Sequence, residues 1–478
     1  MTETIAAIAT ASRNGSISIL RVSGPEAVFR VSRIFHSGED LTGVESHTVH
    51  YGWIGRSREE LIDEVLVLVM RAPRSYTAED VVEIHCHGGG FAAKQILGLL
   101  VESGLRLAEP GEFTKRAFLN GRIDLTQAES VMEVIRAKSD LALYTAENHL
   151  RGDVRDRVRA MREVVLSDMA YLEAALDDPE HIELTDFPET LLSHLDPIEK
   201  ELAEILRRAE NGRRISEGIR TVIVGRPNVG KSSFLNCILR EDRAIVTEVP
   251  GTTRDTLEED VRIGHVLLRL IDTAGIRETD DRVELIGVEK AKEAFRSADF
   301  LVCVLDASES LTSEDRSVLN MCKKKPSVVL LNKSDLPAVV SKNDVVELFS
   351  PVDVNCLEGT LDSFSDSMKS YPIHVLEFSA ETGEGLHNLE CLLEDLFLQE
   401  YISADKNEPV ITSLRQKEAL TQVRDSFARI RQTIADGMPE DLLTVDLLAA
   451  YEELGRVTGD TMEDDLVEKI FSEFCMGK

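Results

Sequence analysis

The eight residues 225–232, Gly-Arg-Pro-Asn-Val-Gly-Lys-Ser, constrain the fold more than any other segment. They follow an apolar run and precede a segment with helical spacing, so we predict a strand, a loop and a helix. In such a loop, two glycines let backbone N–H groups turn inward around a phosphate. Lys231 would then contact the β- and γ-phosphates, and the Ser232 hydroxyl would bind Mg²⁺. A simple glycine-rich turn is the alternative.

A second motif indicates which base the nucleotide carries. It consists of Asn332, Lys333 and Asp335, which follow an apolar run. The Asp335 carboxylate can accept hydrogen bonds from both the N1–H and the 2-amino group of guanine. Adenine offers neither donor in that arrangement, and a buried carboxylate left unpaired costs about 1–3 kcal/mol. The pattern therefore favours GTP over ATP. Ser379 and Ala380, after another apolar run, would close the base pocket through their backbone N–H groups.

A further apolar strand is predicted at 266–271, directly before the sequence Asp-Thr-Ala-Gly. In this position Asp272 can hold the Mg²⁺ shell and the Gly275 N–H can contact the γ-phosphate, although Asp272 could also be a turn residue. Ile276 follows, where Ras-like switches have a glutamine that orients the attacking water. An apolar side chain cannot orient water, so another group must assist hydrolysis.

Two side chains are candidates for the group that assists hydrolysis, and one threonine is a candidate for the magnesium shell. We assign the second Mg²⁺ ligand to Thr253 rather than Thr252, in a segment that could also be a polar surface loop. Asn228 could offer an oxygen to a monovalent cation that neutralises charge beside the phosphates, or it could only shape the loop. Glu284 lies in a charged stretch, where a glutamate is catalytic less often than it is solvated.

Composition limits the class of protein. The 478 residues suffice for two or three domains, each with its own core. With 54 Lys and Arg against 86 Asp and Glu, the net charge of −32 opposes a broad grip on nucleic acid, so any RNA contact would be local or shared with a basic partner. Seven cysteines without paired spacing are typical of a reducing cytosol. Because no signal-peptide pattern or apolar run of about 20 residues occurs, we expect a cytoplasmic protein without membrane contact.

The pattern along the chain predicts a multidomain α/β and α fold. Residues 1–120 alternate strands with helical stretches and predict an α+β domain. Residues 121–217 and 400–478 have helical spacing and predict a central helical bundle, into which a Ras-like P-loop G domain is inserted at 218–399. We interpret the acidic stretch 337–372 as a surface insertion. The clearest predicted helix face consists of Val154, Val158, Met161, Val165, Met169, Leu172 and Leu176.

Segments on both sides of the phosphate loop resemble one family. The sequences at 19–24, 83–89, 110–125 and 474–478 are similar to those of the MnmE (TrmE) family of bacterial tRNA-modification GTPases. The resemblance covers essentially the whole chain. The phosphate loop itself is less specific, because ribosome-assembly GTPases share it.

The resemblance implies a K⁺-activated GTPase whose G domains dimerise during hydrolysis. Asn228 matches the family's K⁺-binding asparagine, and Thr247, Val249 and Thr252 would complete the ion site. Glu284 matches the glutamate that positions the attacking water. The residues predicted to bind GTP are Asn228, Val229, Gly230, Lys231, Ser232, Ser233, Thr247, Glu248, Val249, Pro250, Gly251, Thr252, Thr253, Asp272, Thr273, Ala274, Gly275, Asn332, Lys333, Asp335, Ser379 and Ala380.

The resemblance also implies that the N-terminal block dimerises and binds a folate such as 5-formyltetrahydrofolate. The binding positions fall on Arg21, Glu83, Arg122 and Lys478. A carboxylate suits the N–H edge of the pterin and cations suit the glutamate tail, although on the residues alone each could be a surface charge. Cys475 lies near this site in the family, and its thiol could act as a nucleophile or could anchor the tail.

By this resemblance, the chain would work as a homodimer in a heterotetramer with the flavoprotein MnmG (GidA). The assembly would add a carboxymethylaminomethyl or aminomethyl group at C5 of the wobble uridine of certain tRNAs, with folate as the carbon donor. Two rivals remain open. A ribosome-assembly GTPase would usually carry a basic RNA-binding domain, and a self-contained one-carbon transferase would modify tRNA without the flavoprotein.

Overall fold

The computed structural model describes residues 3–10, 15–240, 259–271, 295–349, 373–403, 410–461, 464–472, 474 and 477. The fold is mixed α/β with many helices, which confirms the predicted class in outline. Two compact units form: one of Met1–Ile135, Glu147–Leu202 and Glu418–Lys478, and one of Arg136–Ala146 and Ala203–Lys417. The predicted domain boundaries at 120, 217 and 400 stay predictions.

Strands and helices are mixed from residue 5 to 107 and from 219 to 377, and the described elements at 112–217 and 386–472 are helices. The strands are β1 Ile5–Ile8, β2 Ile17–Ser23, β3 Phe35–His36, β4 Thr48–Gly55, β5 Leu61–Met70, β6 Val81–His87, β7 Arg106–Leu107, β8 Ile219–Val224, β9 Glu259–Ile263, β10 Val266–Leu270, β11 Phe300–Asp306, β12 Ser327–Asn332 and β13 Ile373–Glu377. The helices are α1 Ala27–Ile34, α2 Phe91–Glu102, α3 Glu112–Leu119, α4 Leu125–Arg136, α5 Asp140–Arg151, α6 Asp153–Asp177, α7 Phe187–Glu217, α8 Lys231–Arg240, α9 Ser313–Cys322, α10 Lys342–Val346, α11 Leu386–Ser403, α12 Leu414–Ala435, α13 Asp441–Thr458 and α14 Asp464–Ser472.

The first unit contains a seven-stranded sheet in the order β3-β4-β5-β6-β2-β1-β7. Its neighbours pair antiparallel except β1 and β7, which are parallel. Alternate side chains point to opposite faces, and α1 and α2 pack on one face over a core that includes Leu20, Val67 and Ile84. On the other face Tyr51 and Leu66 are register partners, and they remain 62% and 46% exposed. The edge strands β3 and β7 have two residues each.

Helices form the rest of the first unit, and α6 packs on α13. Six of the seven residues predicted for the buried face of α6 are buried. The prediction was wrong for Leu176, which is 42% exposed, while Ala175 is buried. From Leu172 both the i+3 and the i+4 positions are near the same face, and here the smaller side chain takes the buried one.

The second unit contains a six-stranded sheet in the order β13-β12-β11-β8-β10-β9. All neighbours are parallel except β9 and β10. Every residue of β11 and β12 is buried, as expected for strands covered on both faces. Because the carboxyl ends of parallel strands meet at one edge, the loops after β8, β12 and β13 lie at that edge. Among the described residues, no helix is both long and apolar enough to cross a bilayer.

Candidate nucleotide site

The loop between β8 and α8 has a backbone that only certain residues tolerate. Gly225 has φ +152° and Gly230 has φ +98°. A Cβ on Gly225 would lie less than 3.0 Å from the carbonyl oxygen of Val304, and one on Gly230 would lie as close to the Asn332 side chain. Asn228 has φ +64°, a conformation that asparagine adopts more easily than most residues. The two glycines of the predicted phosphate loop are therefore required by its geometry.

Lys231, the first residue of α8, folds back over this loop. Its ammonium donates to the carbonyl oxygens of Gly225 and Arg226, both at 2.7 Å. Burial lowers the pKa of Lys231. The two hydrogen bonds hold the Lys231 ammonium against the loop. Oxygens of a bound phosphate can replace the two carbonyl oxygens as acceptors. Ser232 and Ser233, at the start of the same helix, are exposed.

Asn332, at the end of β12, joins the phosphate loop to the next loop of the sheet edge. Its side-chain amide donates to the Val229 carbonyl at 2.8 Å, and its Oδ1 accepts from the Ala380 N–H at 3.0 Å. Asn332 is only 2% exposed, so both contacts are shielded from water. Three of the segments predicted to contact the nucleotide are thus linked through one side chain.

The predicted base-reading residues lie beside this link. The Asp335 carboxylate is exposed and accepts a hydrogen bond from the Ser379 hydroxyl at 2.5 Å. The Ser379 N–H donates to the Glu384 carbonyl at 3.0 Å, and the Ala380 N–H to Asn332. Both backbone N–H groups predicted to close the base pocket therefore already donate hydrogen bonds to other groups of the protein. Asp335 keeps further lone pairs that can accept from a base.

Lys333 has a left-handed backbone, φ +64°, and its ammonium pairs with Asp306 at the end of β11. Burial alone would raise the pKa of Asp306. Hydrogen bonds from Lys333 and Ser308 outweigh it, so the pKa of Asp306 is lowered. The pair fixes the backbone between Asn332 and Asp335.

Part of the predicted site lies outside the described residues and stays a prediction. This part comprises Thr247, Glu248, Val249, Pro250, Gly251, Thr252, Thr253, Asp272, Thr273, Ala274, Gly275, Glu284, Cys475 and Lys478.

A second candidate site lies on the open face of the seven-stranded sheet. Arg21 on β2 and Glu83 on β6 are register partners, and their side chains form an ion pair at 2.9 Å. The guanidinium carbons of Arg21 and Arg122 lie 4.7 and 4.8 Å from the centre of the Tyr76 ring. Arg21 also donates to the Gly477 carbonyl at 3.5 Å. The structure therefore brings together the three described residues predicted to bind folate.

Sequence reasoning missed two aromatic residues of this cluster. Tyr76 donates to or accepts from the Thr114 hydroxyl at 2.9 Å, which fixes its ring. The Arg21 guanidinium carbon lies 5.7 Å from the centre of the Phe113 ring. Phe113 is part of the segment 110–125 on which the resemblance rests, so that segment could have indicated it. No motif indicated Tyr76.

Comparisons with known proteins identify the family of this chain. The family model described as "MnmE helical domain" matches residues 125–475, and "GTP-binding protein TrmE N-terminus" matches residues 4–122. The tRNA modification GTPase MnmE of Lachnoclostridium phytofermentans is 47% identical to this chain, and the alignment covers 100% of both chains. The proteins of that name from Lactiplantibacillus plantarum and Carboxydothermus hydrogenoformans are 43% and 42% identical, over 100% of this chain and 98% and 100% of theirs.

One solved structure, the G domain of the T. maritima FeoB iron transporter, matches with 18% identity and a TM-score of 0.25, over 37% of this chain and 96% of its own. A TM-score this low adds nothing to the family assignment. The family models and the full-length relatives suffice. The chain belongs to the MnmE (TrmE) family.

Proposed function

We propose that this chain hydrolyses GTP and that the hydrolysis serves tRNA modification. One observation carries the proposal: Asn332 ties the phosphate loop to the loop at Ala380, at the edge where Asp335 also lies. The name shared by the curated relatives, tRNA modification GTPase, supports the same activity. In this proposal the second unit contains a Ras-like P-loop G domain at 218–399.

Within that site Lys231 binds the β- and γ-phosphates, and Asp335 selects guanine over adenine. The exposed Ser232 hydroxyl, next to Lys231, is a hard oxygen donor that suits Mg²⁺. Thr253 would be the second magnesium ligand and Asp272 would hold the shell. When bound, Mg²⁺ neutralises charge on the phosphates.

Hydrolysis in this proposal depends on K⁺, held by Asn228 with Thr247, Val249 and Thr252. The Asn228 side chain is exposed on the phosphate loop and its amide oxygen is an acceptable ligand for a monovalent cation. Bound K⁺ would supply positive charge beside the phosphates. Glu284 orients the attacking water, the task for which Ile276 is unsuited.

The cluster around Tyr76 supports a folate site in the first unit. Arg21 and Arg122 provide cations beside an aromatic ring, and Glu83 provides a carboxylate. Charged groups of both signs next to a flat ring fit a ligand with an aromatic head and an acidic tail. A folate such as 5-formyltetrahydrofolate would supply the one-carbon unit. Lys478 and Cys475 would complete the site.

The finer assembly is also part of the proposal. The open sheet face, with Tyr51 and Leu66 exposed, supports a homodimer formed through the first unit. The flavoprotein MnmG would join it in a heterotetramer in the cytoplasm. Together they would add the carboxymethylaminomethyl or aminomethyl group at C5 of the wobble uridine.

GTP turnover with Mg²⁺, in KCl and in NaCl at equal ionic strength, tests the hydrolytic half of the proposal. The parent chain is expected to be faster in KCl, and Asn228→Ala to lose that stimulation because the ligand oxygen is gone. Asn228→Gly removes the same oxygen without strain at φ +64° and is expected to behave alike. Asn236→Ala, which changes an exposed asparagine on α8, is the control. Equal rates in both salts for the parent would reject the K⁺ site.

A further inference from the structure

Arg226, the second residue of the phosphate loop, pairs with two carboxylates of the segment that follows β11. Its Nη2 donates to Glu309 Oε2 at 2.5 Å, and its Nε lies 3.3 Å from Asp315 Oδ2. The Arg226 side chain is 18% exposed, and Asp315 lies in the first turn of α9. This side chain therefore joins the phosphate loop to the start of α9. Arg226 is not among the residues assigned above to GTP, metal ions or folate.

Asp315 is held in place by the cap of α9. Its Oδ2 accepts from the Thr312 N–H at 2.9 Å and from the Thr312 hydroxyl at 2.8 Å, while Thr312 Oγ1 accepts from the Asp315 N–H at 3.2 Å. These reciprocal bonds form a capping box. Asp315 is 2% exposed, and a carboxylate this buried needs a cation or several donors beside it. Arg226 therefore pairs with a carboxylate that is fixed in position and shielded from water.

The backbone of Arg226 contacts the lysine of the same loop. The carbonyl oxygens of Gly225 and Arg226 accept the two hydrogen bonds of the Lys231 ammonium, each at 2.7 Å. Gly225 has φ +152° and no Cβ, so the chain directly before Arg226 is poorly restrained by its own side chains. The Arg226 side chain supplies the missing restraint on this carbonyl. When oxygens of a phosphate replace the two carbonyls as acceptors of Lys231, the ion pairs of Arg226 remain and keep the loop in place.

We propose that Arg226 is a positioning residue for the phosphates of GTP. Its ion pairs with Glu309 and Asp315 hold the phosphate loop in the conformation in which the Lys231 ammonium meets the β- and γ-phosphates. Arg226 itself touches no part of the nucleotide. The proposal rests on the proposed function, because it takes GTP as the ligand of this loop. The contribution of Arg226 is therefore confined to the phosphates and does not extend to guanine, which Asp335 selects.

The test compares the affinities of the full chain for a non-hydrolysable GTP analogue, for GDP and for GMP, with Mg²⁺ present. Calorimetric titration measures the first two, and ligand-observed NMR measures GMP. Arg226→Gln is expected to weaken binding of the analogue and of GDP about tenfold or more, because the charged hydrogen bonds that fix the loop are lost. GMP has neither a β- nor a γ-phosphate, so its affinity is expected to stay at the parent level. Arg316→Gln removes one positive charge from an exposed position of α9 and is expected to bind all three ligands like the parent.

Two outcomes of this comparison would overturn the proposal. Equal weakening for all three nucleotides in Arg226→Gln would show that Arg226 has only a general structural role. Parent-like binding of all three would show that the ion pairs do not affect the phosphates.

A double-mutant cycle shows whether Arg226 acts through Lys231. If it does, Arg226→Gln weakens GDP binding in the parent chain but has little further effect in a Lys231→Ala background, because the group that Arg226 positions is already gone. The same loss in both backgrounds would show that the two residues act independently, which contradicts a positioning role.

Two further variants separate positioning from folding. Arg226→Gln leaves Asp315 buried without its cation, whereas Arg226→Gln combined with Asp315→Asn removes both charges. This combined variant is expected to fold, as urea denaturation verifies, and to keep the loss that is selective for β- and γ-phosphates; parent-like binding by it would overturn the proposal. Arg226→Lys keeps the charge without the planar fork and is expected to lose less affinity than Arg226→Gln. Failure of the proposed function would instead appear as absent binding of GDP and of the GTP analogue in the parent chain itself.

Discussion

At the scale of single residues, Asn332 shows what motif reasoning can and cannot predict. The motif correctly indicated that Asn332 lies at the end of a strand and next to Lys333 and Asp335. Its two hydrogen bonds reach Val229 and Ala380, which are 103 and 48 positions away along the chain. No local pattern contains such contacts, because they depend on which strands become neighbours in the sheet.

Asn332→Ala is expected to lower the free energy of unfolding of the second unit by about 1–3 kcal/mol, because the buried groups of Val229 and Ala380 lose their partners. GTP affinity is expected to fall with it, because two loops of the site lose their link. Urea denaturation and titration with GDP measure the two effects. Asn332→Asp keeps an acceptor for Ala380 but places a buried carboxylate oxygen against the Val229 carbonyl, so it is expected to lose at least as much stability as Asn332→Ala. Asn236→Ala is the surface control, and equal losses in it and Asn332→Ala would contradict this role.

The residues predicted to bind folate illustrate the same limit of motif reasoning. Arg21, Glu83 and Arg122 were assigned through the resemblance, and the register of β2 and β6 explains why the first two meet. Tyr76 lies in a loop without periodic pattern, so its position beside both arginines required the fold.

At the scale of elements, periodicity predicted some of the strands and helices. The strands around the phosphate loop and the helices α6 and α13 are where apolar spacing indicated them. β11 was missed, although six of its seven residues form an apolar run like the one within β12. Such a run in isolation does not distinguish a buried strand from a buried helix segment. The neighbours that decide between them, β8 and β12, are distant in sequence.

Two helical glycines give opposite predictions for the same substitution. Gly98→Ala in α2 is expected to stabilise the chain by about 0.5–1 kcal/mol, because the position is exposed and a Cβ meets no atom within 4 Å. Gly212→Ala in α7 gains the same helix propensity, but its Cβ would collide with the Ile411 carbonyl. Overpacking of this kind costs about 1–3 kcal/mol, so a net loss is expected. Urea denaturation compares the two, and stabilisation by both would show that the chain around Ile411 can move away.

At the scale of the whole molecule, net charge bears on how the chain can contact RNA, and the division into compact units bears on where its domains end. The charge of −32 opposes a broad grip on nucleic acid, so any RNA contact is expected to be local or shared with a basic partner. One compact unit consists of Met1–Ile135, Glu147–Leu202 and Glu418–Lys478 and the other of Arg136–Ala146 and Ala203–Lys417, while the domain boundaries at 120, 217 and 400 stay predictions. Helices that run from one unit into the other, such as α7, make such boundaries ambiguous from sequence.

The charge also predicts how the chain behaves alone with tRNA. We expect the purified chain, given GTP, Mg²⁺, K⁺ and folate, to leave the wobble uridine unmodified, because it grips RNA only locally. Addition of the flavoprotein MnmG is expected to restore modification. Nucleoside analysis of the tRNA measures this, with omission of folate as the control. Modification without the flavoprotein would favour the self-contained transferase.

The two-residue edge strands β3 and β7 have a consequence for how the seven-stranded sheet meets other chains. Long bare edges recruit foreign strands through backbone hydrogen bonds, which leads to aggregation and swapped dimers. The two outermost strands offer so little backbone that addition of a strand to β3 or β7 gains few bonds. We therefore expect self-association of this unit to use side chains on the open face and to respond to single side-chain substitutions.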